Sequence, residues 1–348
     1  MYNESHNLEY YVSGSYKFRS VHFVLFHANK ILEFRIKFSR ESAYEFFLKV
    51  RDYLFFHSAA AGLLDHVSDE KFVAAEYRRF MGEELDLKKP KKFSEKLCWL
   101  KIHDHDPLYT TLADKYAVKQ FLTERFGEEH IIPLLGVYDR FDDIDFAALP
   151  EQFVIKTNHD SGCVVICSDK SRFDAAAAKE KIEKRLKLNY YRLHREWQYK
   201  NIKPRIIVEK YIQDENGGRL NDVKFYIFNG RVGFIEYDLN RKSDSHSYNI
   251  NLYSEQWELL PFGDPDYPSL PDVHVEKPAQ LEEMIEYSKK LVHAAGDPDF
   301  LRVDLYTHNG GFLFGELTFY DAAGYGRFDP PEYDAILGQE LMIDTDRQ

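Results

Sequence analysis

Four polar residues near the end of the chain have a spacing that could hold a divalent cation together with phosphate groups. They are Arg302, Asp304, Glu316 and Thr318, and they alternate with apolar residues as strand residues do. If residues 309–311 form a three-residue loop between two strands, Asp304 lies opposite Glu316, and Arg302 lies opposite Thr318. Side chains alternate along a strand, so all four then project from one face of the sheet.

The spacing leaves two interpretations of this polar face open. Two directly opposed carboxylates repel each other by up to about 1 kcal/mol unless a cation lies between them. Mg²⁺ takes one or two carboxylates and completes its coordination with substrate phosphates, to which Arg302 could donate hydrogen bonds. The alternative is an exposed sheet face on which Arg302 neutralises the two acids. The opposite face is predicted to pack into the core through Leu301, Val303, Leu305, Leu313, Leu317 and Phe319.

Two lysines occupy positions that could bring them near an anion. Lys156 follows three apolar strand residues and precedes a small polar loop whose backbone amides could bind a phosphate. Lys115 lies near the start of a predicted helix, where a lysine is unfavourable unless an anion is bound. For Lys156, the alternative is a lysine at the sheet edge followed by an ordinary hairpin turn. For Lys115, the alternative is a lysine without a functional role. The chain contains neither G-x-x-x-x-G-K-[ST] nor G-x-G-x-x-G, which excludes these two phosphate-binding motifs.

Composition limits the class of protein. The 348 residues carry a formal net charge of −12, which argues against a nucleic-acid or anionic-membrane surface because such surfaces need a basic field. No apolar run reaches the roughly 18 residues of a membrane span, and no signal peptide is evident. The 3 cysteines cannot form a disulfide framework. We therefore expect a cytoplasmic protein without a nucleic-acid partner or a transmembrane segment.

The pattern of elements predicts an α+β fold. Two strands and a turn are expected over residues 16–38, followed by a helix over residues 40–64. Further helices are predicted over 69–81, 94–103 with Ser94 as N-cap, 110–127, 174–188 and 278–296. Further strands are predicted over 130–137, 152–158, 163–167, 205–212, 222–228, 231–239, 300–306 and 311–319, and residues 240–275 look mostly irregular. Antiparallel hairpins mixed with separate helices are typical of α+β proteins.

The order of these stretches resembles the TupA-like family of the ATP-grasp superfamily, which belongs to bacterial surface polysaccharide loci. The matching stretches are residues 90–101, 112–119, 149–159, 195–200, 222–230, 302–306 and 314–320. The resemblance extends from about residue 72 to about residue 341, whereas the first 70 residues match nothing that we can place. One position departs from the superfamily pattern: Thr318 stands where many members have Asn. A hydroxyl is a poorer metal ligand than an amide oxygen, so a second Mg²⁺ would be held more loosely.

The resemblance implies an ATP-grasp fold in which two α+β subdomains hold ATP and Mg²⁺ between them. The implied division is an N-terminal extension of strands and helix over 1–68, a first and lid part over 69–208, and a C-terminal core with the metal site over 209–348. The implied catalytic residues are Lys156 and Arg302. The implied nucleotide-binding residues are Lys115, Lys156, His159, Ser161, Gly162, Glu209, Lys210, Tyr211, Asp222 and Lys224. The implied metal ligands are Asp304, Glu316 and Thr318.

The resemblance also assigns roles within this set. Lys115 and Lys156 would contact the phosphates, under a mobile loop of residues 159–162. Residues 209–211 would line the adenine at the hinge, and Asp222 would lie near the ribose. Residues 324–326 would face the acceptor substrate.

The implied activity is ATP-dependent ligation of a carboxylate and an amine through an acylphosphate. The substrates would be an amino acid or amine and a sugar carboxylate of a bacterial surface polysaccharide precursor, as in capsule biosynthesis. One alternative is a kinase that phosphorylates a sugar hydroxyl with Asp238, His246 or Asp321 as base. The other is a non-catalytic partner of a glycosyltransferase. Residues 1–68 could bind polysaccharide, form a homodimer or contact a membrane peripherally, although we favour packing against the core.

Overall fold

The structure, a computed structural model, describes residues 19–27, 30–38, 40–213, 220–239 and 248–345, and side chains from residue 48 onward apart from residue 49. The chain forms two compact units, Met1–Asp65 and His66–Gln348. None of the helices in the described ranges is both long enough and apolar enough to cross a membrane.

The first unit contains a strand pair followed by a helix, as predicted. Strand β1 (Arg19–His27) pairs antiparallel with β2 (Lys30–Phe38), and helix α1 spans Arg40–Ala60. The predicted turn between the strands falls on residues 28 and 29, which lie outside the described residues.

The second unit begins with helices α2 (Asp69–Met81) and α3 (Phe93–His103), which confirms both predictions within a residue. The predicted capping by Ser94 is wrong, because Ser94 lies inside α3 and its hydroxyl donates to Asp334 Oδ2 at 2.7 Å. The Ser94 backbone N–H also donates to this carboxylate, at 2.9 Å. A side chain 240 residues away in sequence therefore satisfies the start of α3.

The helix predicted over residues 110–127 is divided into two. Helix α4 covers Pro107–Ala113 and α5 covers Ala117–Phe126, with Gly127 at the predicted C-terminal position. The division occurs at Asp114, whose carboxylate accepts the backbone N–H of Tyr116 at 2.8 Å and so competes with continuous helix. Lys115 lies in this short connection, two residues before α5 begins.

Four antiparallel strands form the smaller sheet. They are β3 (Leu134–Tyr138), β4 (Phe153–Thr157), β5 (Val164–Cys167) and β6 (Ile206–Lys210), in the spatial order β3-β6-β4-β5. Helices α6 (Ala175–Leu186) and α7 (Tyr191–His194) lie between β5 and β6 in sequence. One sheet face packs with α6 into a core of its own, which includes Phe153, Ile155, Ile182, Ile206 and Val208. The predicted division of the chain stays a prediction, and its boundary after residue 208 falls inside β6.

Five antiparallel strands form the larger sheet. They are β7 (Asp222–Phe228), β8 (Arg231–Leu239), β9 (Asn249–Tyr253), β10 (Phe300–His308) and β11 (Gly311–Thr318), in the order β11-β10-β7-β8-β9. Helix α8 (Leu281–Ala294) packs against β7 and β10, and α9 (Tyr333–Glu340) packs against α3. The strands predicted over residues 222–228 and 231–239 are confirmed, and they form an antiparallel hairpin. The prediction that residues 240–275 are mostly irregular missed β9, which the alternation Asn-Ile-Asn-Leu-Tyr could have indicated.

The last hairpin has the predicted pairing near its open end but a different turn. Asp304 lies opposite Glu316, and Arg302 lies opposite Thr318, as predicted. The three-residue loop is wrong: the turn has two residues, 309 and 310, with positive φ values of 46° and 73°. Gly315 forms a β-bulge, which adds one unpaired residue to β11. The turn is one residue shorter than predicted and the bulge adds one residue, so the predicted pairing of Asp304 with Glu316 is retained.

Between the turn and the bulge the side chains of β11 are shifted by one position from the prediction. Leu313 pairs with Tyr306 rather than facing the core, whereas Phe312 and Phe314 join the main hydrophobic core. The prediction that Leu313 shares the core face of the hairpin with Leu305 is therefore wrong, because a one-residue change of register moves a side chain to the other face. The observed α+β architecture agrees with the predicted fold class.

Candidate active site

Arg302 lies at the centre of three carboxylates on the polar face of the larger sheet. Its Nε and Nη2 donate to the two oxygens of Asp304, each at 2.7 Å, and Nη2 also lies 3.3 Å from Glu316. Nη1 donates to Asp321, which follows β11 in sequence. Burial raises the pKa of Asp304 to about 6, against the opposing effect of Arg302. Thr318 pairs with Arg302 across the strands and completes the predicted group on this face.

Lys224 forms a second charged group next to the first. It pairs with Asp304 across β7 and β10, and its ammonium binds Glu236 and lies 3.1 Å from Asp238 on β8. Burial favours the neutral amine, but the two carboxylates outweigh it and raise the pKa of Lys224 well above its usual value. Lys224 therefore lies next to Asp304, one of the predicted metal ligands. Its ammonium contacts Glu236 and Asp238 on the neighbouring strand β8.

These residues suit a cation whose coordination is completed by a substrate. Five carboxylates and two cations meet here, namely Glu236, Asp238, Asp304, Glu316 and Asp321 with Lys224 and Arg302, which leaves a formal excess of three negative charges. Within the described part of the chain, no group of three or more His, Cys, Asp and Glu residues could hold a metal ion by itself. Mg²⁺ commonly takes one or two carboxylates together with phosphates, so the opposed pair fits that ion.

On the smaller sheet, Glu209 holds two lysines on the face opposite that sheet's core. Its oxygens lie 2.7 Å from the Lys156 ammonium and 2.9 Å from the Lys119 ammonium. Burial opposes the charged form, but the two lysines lower the pKa of Glu209 to about 2. Burial also lowers the pKa of Lys119, and Glu209 only partly compensates. Lys156 is the more accessible lysine, with 22% of its side chain exposed.

Lys115 is attached to the loop that follows Lys156. Its ammonium donates to the backbone carbonyl of Asp160, and its backbone N–H donates to Asn158 O at 3.0 Å. The Asp160 carboxylate is buried and accepts from Arg185 Nε at 2.6 Å. The predicted phosphate-binding loop is therefore connected both to Lys115 and to α6.

The individual residues of this loop have different environments. Ser161 and Gly162 are exposed, and Gly162 has a φ of 85°, which favours glycine. His159 is buried, and its Nε2 faces the carbonyls of Arg185 and Leu188 at 3.2 and 3.1 Å. A nitrogen between two carbonyls must carry the proton, which leaves Nδ1 as an acceptor because burial lowers the pKa of His159. This neutral ring has no donor left for a phosphate, so its geometry indicates an anchor of the loop rather than a phosphate ligand.

The lysines of the smaller sheet influence the acids of the larger one. Partial burial of Glu316 would raise its pKa, but Lys115, Arg302, Lys156 and Lys224 lower it below the usual value. Lys115 and Lys156 thus act electrostatically on the Glu316 carboxylate, an effect that weakens with distance. The lysines predicted to bind phosphate therefore influence one of the carboxylates predicted to bind the metal.

The remaining predicted residues are less informative. Lys210 is exposed at the end of β6, its backbone N–H donates to Pro133 O at 3.0 Å, and Tyr211 follows it. Asp222 is buried at the start of β7, opposite Tyr306. Their assignments to adenine and ribose stay predictions.

The loop predicted to face an acceptor has a buried centre. The Tyr325 ring stacks on Phe80 with 5.1 Å between centroids, and its hydroxyl donates to Glu76 at 3.0 Å. The ammonium of Lys101 lies 4.2 Å from the centroid of the same ring. Tyr325 therefore anchors the loop against α2 and α3, and only the flanking residues could meet an acceptor.

Sequence reasoning missed two residues of this region. Lys119 lies four residues after Lys115 and next to the buried Val118, so a lysine on the apolar side of α5 was the available signal. Glu236 alternates with Asp238 along β8 and faces Lys224, which the confirmed hairpin register could have revealed.

Three solved structures show the extent of structural similarity. D-alanine–D-alanine ligase from Bacillus anthracis aligns with 18% identity and a TM-score of 0.34, over 60% of this chain and 57% of that one. The L-amino acid ligase from Bacillus licheniformis aligns with 14% identity and a TM-score of 0.43, over 66% and 50%. The ATP-grasp ligase PsnB, in complex with a minimal precursor, Mg and ADP, aligns with 9% identity and a TM-score of 0.36, over 75% and 65%.

These alignments span about half to two thirds of the solved chains, and scores this low do not carry an argument about activity. No curated protein matches the sequence significantly. A family profile described as TupA-like ATPgrasp, in contrast, matches residues 95–342, which include both sheets and every residue of the site. The chain therefore belongs to the TupA-like ATP-grasp family.

Proposed function

We propose that this protein is an ATP-dependent ligase that joins a carboxylate to an amine. The observation that supports it best is the position of Arg302, which donates to both Asp304 and Glu316, the opposed acids that would hold Mg²⁺. The substrate carboxylate would attack the γ-phosphate of ATP to form an acylphosphate and ADP, and an amine would then displace phosphate. Such chemistry needs positioning and charge neutralisation more than a protein nucleophile.

The chain's own residues would divide this work. Lys115 and Lys156 would bind the phosphate oxygens, and Glu209 would hold Lys156 in place. Asp304 and Glu316, with Thr318 beside them, would hold Mg²⁺, which would neutralise charge on the phosphates. Arg302 would stabilise the transferred phosphoryl oxygens while it positions the acids.

The kinase alternative has less support from the geometry. A kinase acting on a hydroxyl benefits from a general base near the acceptor. Of the three candidate bases, Asp238 is bound by Lys224, Asp321 is bound by Arg302, and His246 lies outside the described residues. A carboxylate substrate is ionised at neutral pH and needs no such base, which favours ligation.

The substrate class follows from the family rather than from the geometry. We propose an amino acid or amine and a sugar carboxylate of a surface polysaccharide precursor. A panel of acids and amines with Mg-ATP, followed by mass spectrometry, should give an amide, ADP and phosphate only when both substrates are present. A phosphorylated alcohol would identify a kinase instead.

Nucleotide binding can be tested without the substrates. Mg-ATP should raise the melting temperature of the wild-type protein, and Lys156→Met should abolish most of this shift. The matched control is Lys290→Met, which changes an exposed lysine on α8. If Mg-ATP does not stabilise the wild-type protein, the non-catalytic alternative is favoured.

A further inference from the structure

The turn that follows β11 has an unusual backbone. Ala322 has φ and ψ values of 45° and 32°, and Ala323 has values of 56° and 22°. No other pair of adjacent non-glycine residues has positive φ in the part of the chain that the structure describes. The left-handed conformation brings Cβ too close to the following carbonyl oxygen, so each alanine is strained there. Such strain persists only where the surrounding contacts impose it, and it is concentrated at functional sites.

Lys101 on α3 makes the contact that holds this turn. Its side chain is buried, and its ammonium donates to Ala323 O at 2.6 Å. The ammonium also donates to the Tyr325 hydroxyl at 3.0 Å, and this hydroxyl donates to Glu76 Oε2 at 3.0 Å. The positive charge is thus linked through the hydroxyl to a buried carboxylate, which a buried ammonium needs because its desolvation is costly. Lys101 therefore fixes the carbonyl of a strained residue.

Two further contacts with α3 hold the same turn. Cys98 Sγ lies 3.5 Å from Gly324 O, and a Cβ at Gly324 would lie 3.0 Å from this sulfur. The hydroxyl of Tyr320, the residue before the turn, donates to the backbone oxygen of Asp104 at 3.1 Å, directly after α3. Contacts with α3 and its C-terminal end therefore hold the turn from its start to its end.

The turn carries a carboxylate of the candidate active site. Asp321 is its first residue and accepts a hydrogen bond from Arg302 Nη1. Arg302 also donates to both oxygens of Asp304 at 2.7 Å and to Glu316 at 3.3 Å. Only one residue separates Asp321 from Ala323, so a change of backbone conformation at the alanines would move the Asp321 carboxylate relative to Arg302.

We propose that Lys101 is a positioning residue of the nucleotide site. It stabilises the left-handed turn of residues 321–324, and the turn presents Asp321 to Arg302, which orients the acids assigned to Mg²⁺. The inference rests on the proposed function, because it gives Lys101 a part in binding the magnesium nucleotide. A glycine in the turn would adopt positive φ without strain and would therefore depend less on the lysine.

The test is a double-mutant cycle between Lys101 and Ala323, with Mg-AMP-PNP, a non-hydrolysable analogue of Mg-ATP, as the probe. Lys101→Met removes the ammonium and should weaken Mg-AMP-PNP binding about tenfold or more in isothermal titration. Ala323→Gly alone should bind as wild type. Lys101→Met combined with Ala323→Gly should return to within about threefold of wild type, because glycine keeps the turn left-handed without the ammonium. A role of Lys101 in core packing alone would give no such recovery.

Asn309 provides the matched control for this recovery. It is also a non-glycine residue with positive φ, at 46°, but it lies in the exposed turn at the other end of β11. Asn309→Gly should not restore binding to Lys101→Met. Equal recovery with Asn309→Gly and with Ala323→Gly would show that general stabilisation restores binding, and it would overturn the positioning role.

Ala322 tests the turn without a change at Lys101 and decides if Lys101→Met does not fold. Ala322 is exposed, and a β-branched valine tolerates positive φ poorly. Ala322→Val should therefore weaken Mg-AMP-PNP binding about tenfold, whereas Ala322→Gly should bind as wild type.

The outcomes separate this inference from the proposed function. Wild-type affinity in Lys101→Met or in Ala322→Val overturns the positioning role and leaves nucleotide binding intact. Failure of Ala323→Gly to improve binding by Lys101→Met has the same meaning. A wild-type protein that does not bind Mg-AMP-PNP overturns the proposed function itself, and the positioning role with it.

Discussion

The Lys156 ammonium and the Glu209 carboxylate form an ion pair between neighbouring strands β4 and β6, with 2.7 Å between Nζ and Oε2. The same carboxylate binds Lys119 on α5. One buried acid therefore fixes two lysines from two different elements, and it orients the lysine that we assign to the phosphates. Removing one partner of a buried pair is costly, because the other charges stay buried.

Glu209→Gln should lower the free energy of unfolding at pH 7. A shift of the Glu209 pKa from 4.5 to about 2 corresponds to about 3 kcal/mol. The net loss should be smaller, since burial of Lys119 already offsets part of this gain. A depressed carboxylate pKa stabilises the fold above pH 4.5, and this contribution disappears as the pH falls towards 2. Urea unfolding at pH 7 and at pH 3.5 should show the difference between the two proteins shrinking by about 1 kcal/mol.

The control for this prediction is Glu128→Gln, in which an exposed glutamate is changed. It should show the unfolding free energy of the wild-type protein at both pH values. A difference between wild type and Glu209→Gln that stays constant from pH 7 to pH 3.5 would contradict the assigned ion pair.

The pairing of Asp304 with Glu316 could be predicted from the sequence, whereas the buried ion pair of Glu209 with Lys119 could not. Asp304 and Glu316 lie on adjacent strands of a hairpin, where alternation of polar and apolar residues fixes the register locally. Glu209 and Lys119 come from a strand and a helix 90 residues apart, and only the packing of the smaller sheet brings them together. Asp334 reaches the start of α3 across 240 residues for the same reason. Local patterns thus predict pairs within a hairpin, whereas buried charges depend on tertiary contacts.

Gly315→Ala should disturb the predicted metal site through the bulge. A Cβ at this position would lie 2.9 Å from the backbone oxygen of Asp304 and 3.0 Å from the Tyr306 ring. Because the backbone has to move, we expect a loss of about 1–3 kcal/mol in unfolding free energy and weaker binding of Mg-ATP. Chemical denaturation and the thermal shift with Mg-ATP measure the two effects.

A second glycine provides the comparison for the bulge. A Cβ at Gly326 would meet its nearest atom, Ala322 Cβ, at 3.6 Å, which is an ordinary contact. Gly326→Ala should therefore keep both stability and nucleotide binding. If Gly315→Ala binds Mg-ATP as well as Gly326→Ala does, the bulge does not position the acids.

Arg302→Lys should reduce turnover strongly even though it keeps the charge. Arg302 donates to both oxygens of Asp304 and also binds Glu316 and Asp321, which the single ammonium of a lysine cannot reproduce. We expect a loss of about 100-fold or more in ADP formation, the magnitude that follows removal of a positioned transition-state contact. ADP release with the acid and amine substrates measures this loss.

An exposed pair of similar geometry serves as the control for Arg302. Arg327 Nη2 lies 3.0 Å from both oxygens of Asp266, and both side chains are more than half exposed. Arg327→Lys should leave turnover unchanged, since exposed ion pairs contribute little. Equal activity of the two variants would show that Arg302 has no special part in the reaction.

His159→Gln should remove part of the pH dependence of stability. Burial lowers the pKa of His159, whose Nε2 faces the carbonyls of Arg185 and Leu188. The unfolded chain takes up a proton below its pKa of about 6.5 while the folded state resists it, so stability falls as the pH decreases. Between pH 7 and 5.5 we expect His159 to account for up to about 1 kcal/mol of the fall. Urea unfolding should show that His159→Gln loses this part of the pH dependence of stability. His293→Gln, which changes a histidine with an 83% exposed side chain, should keep the pH dependence of the wild-type protein. If unfolding free energy changes equally with pH in all three proteins, the loop of residues 159–162 does not depend on a neutral His159.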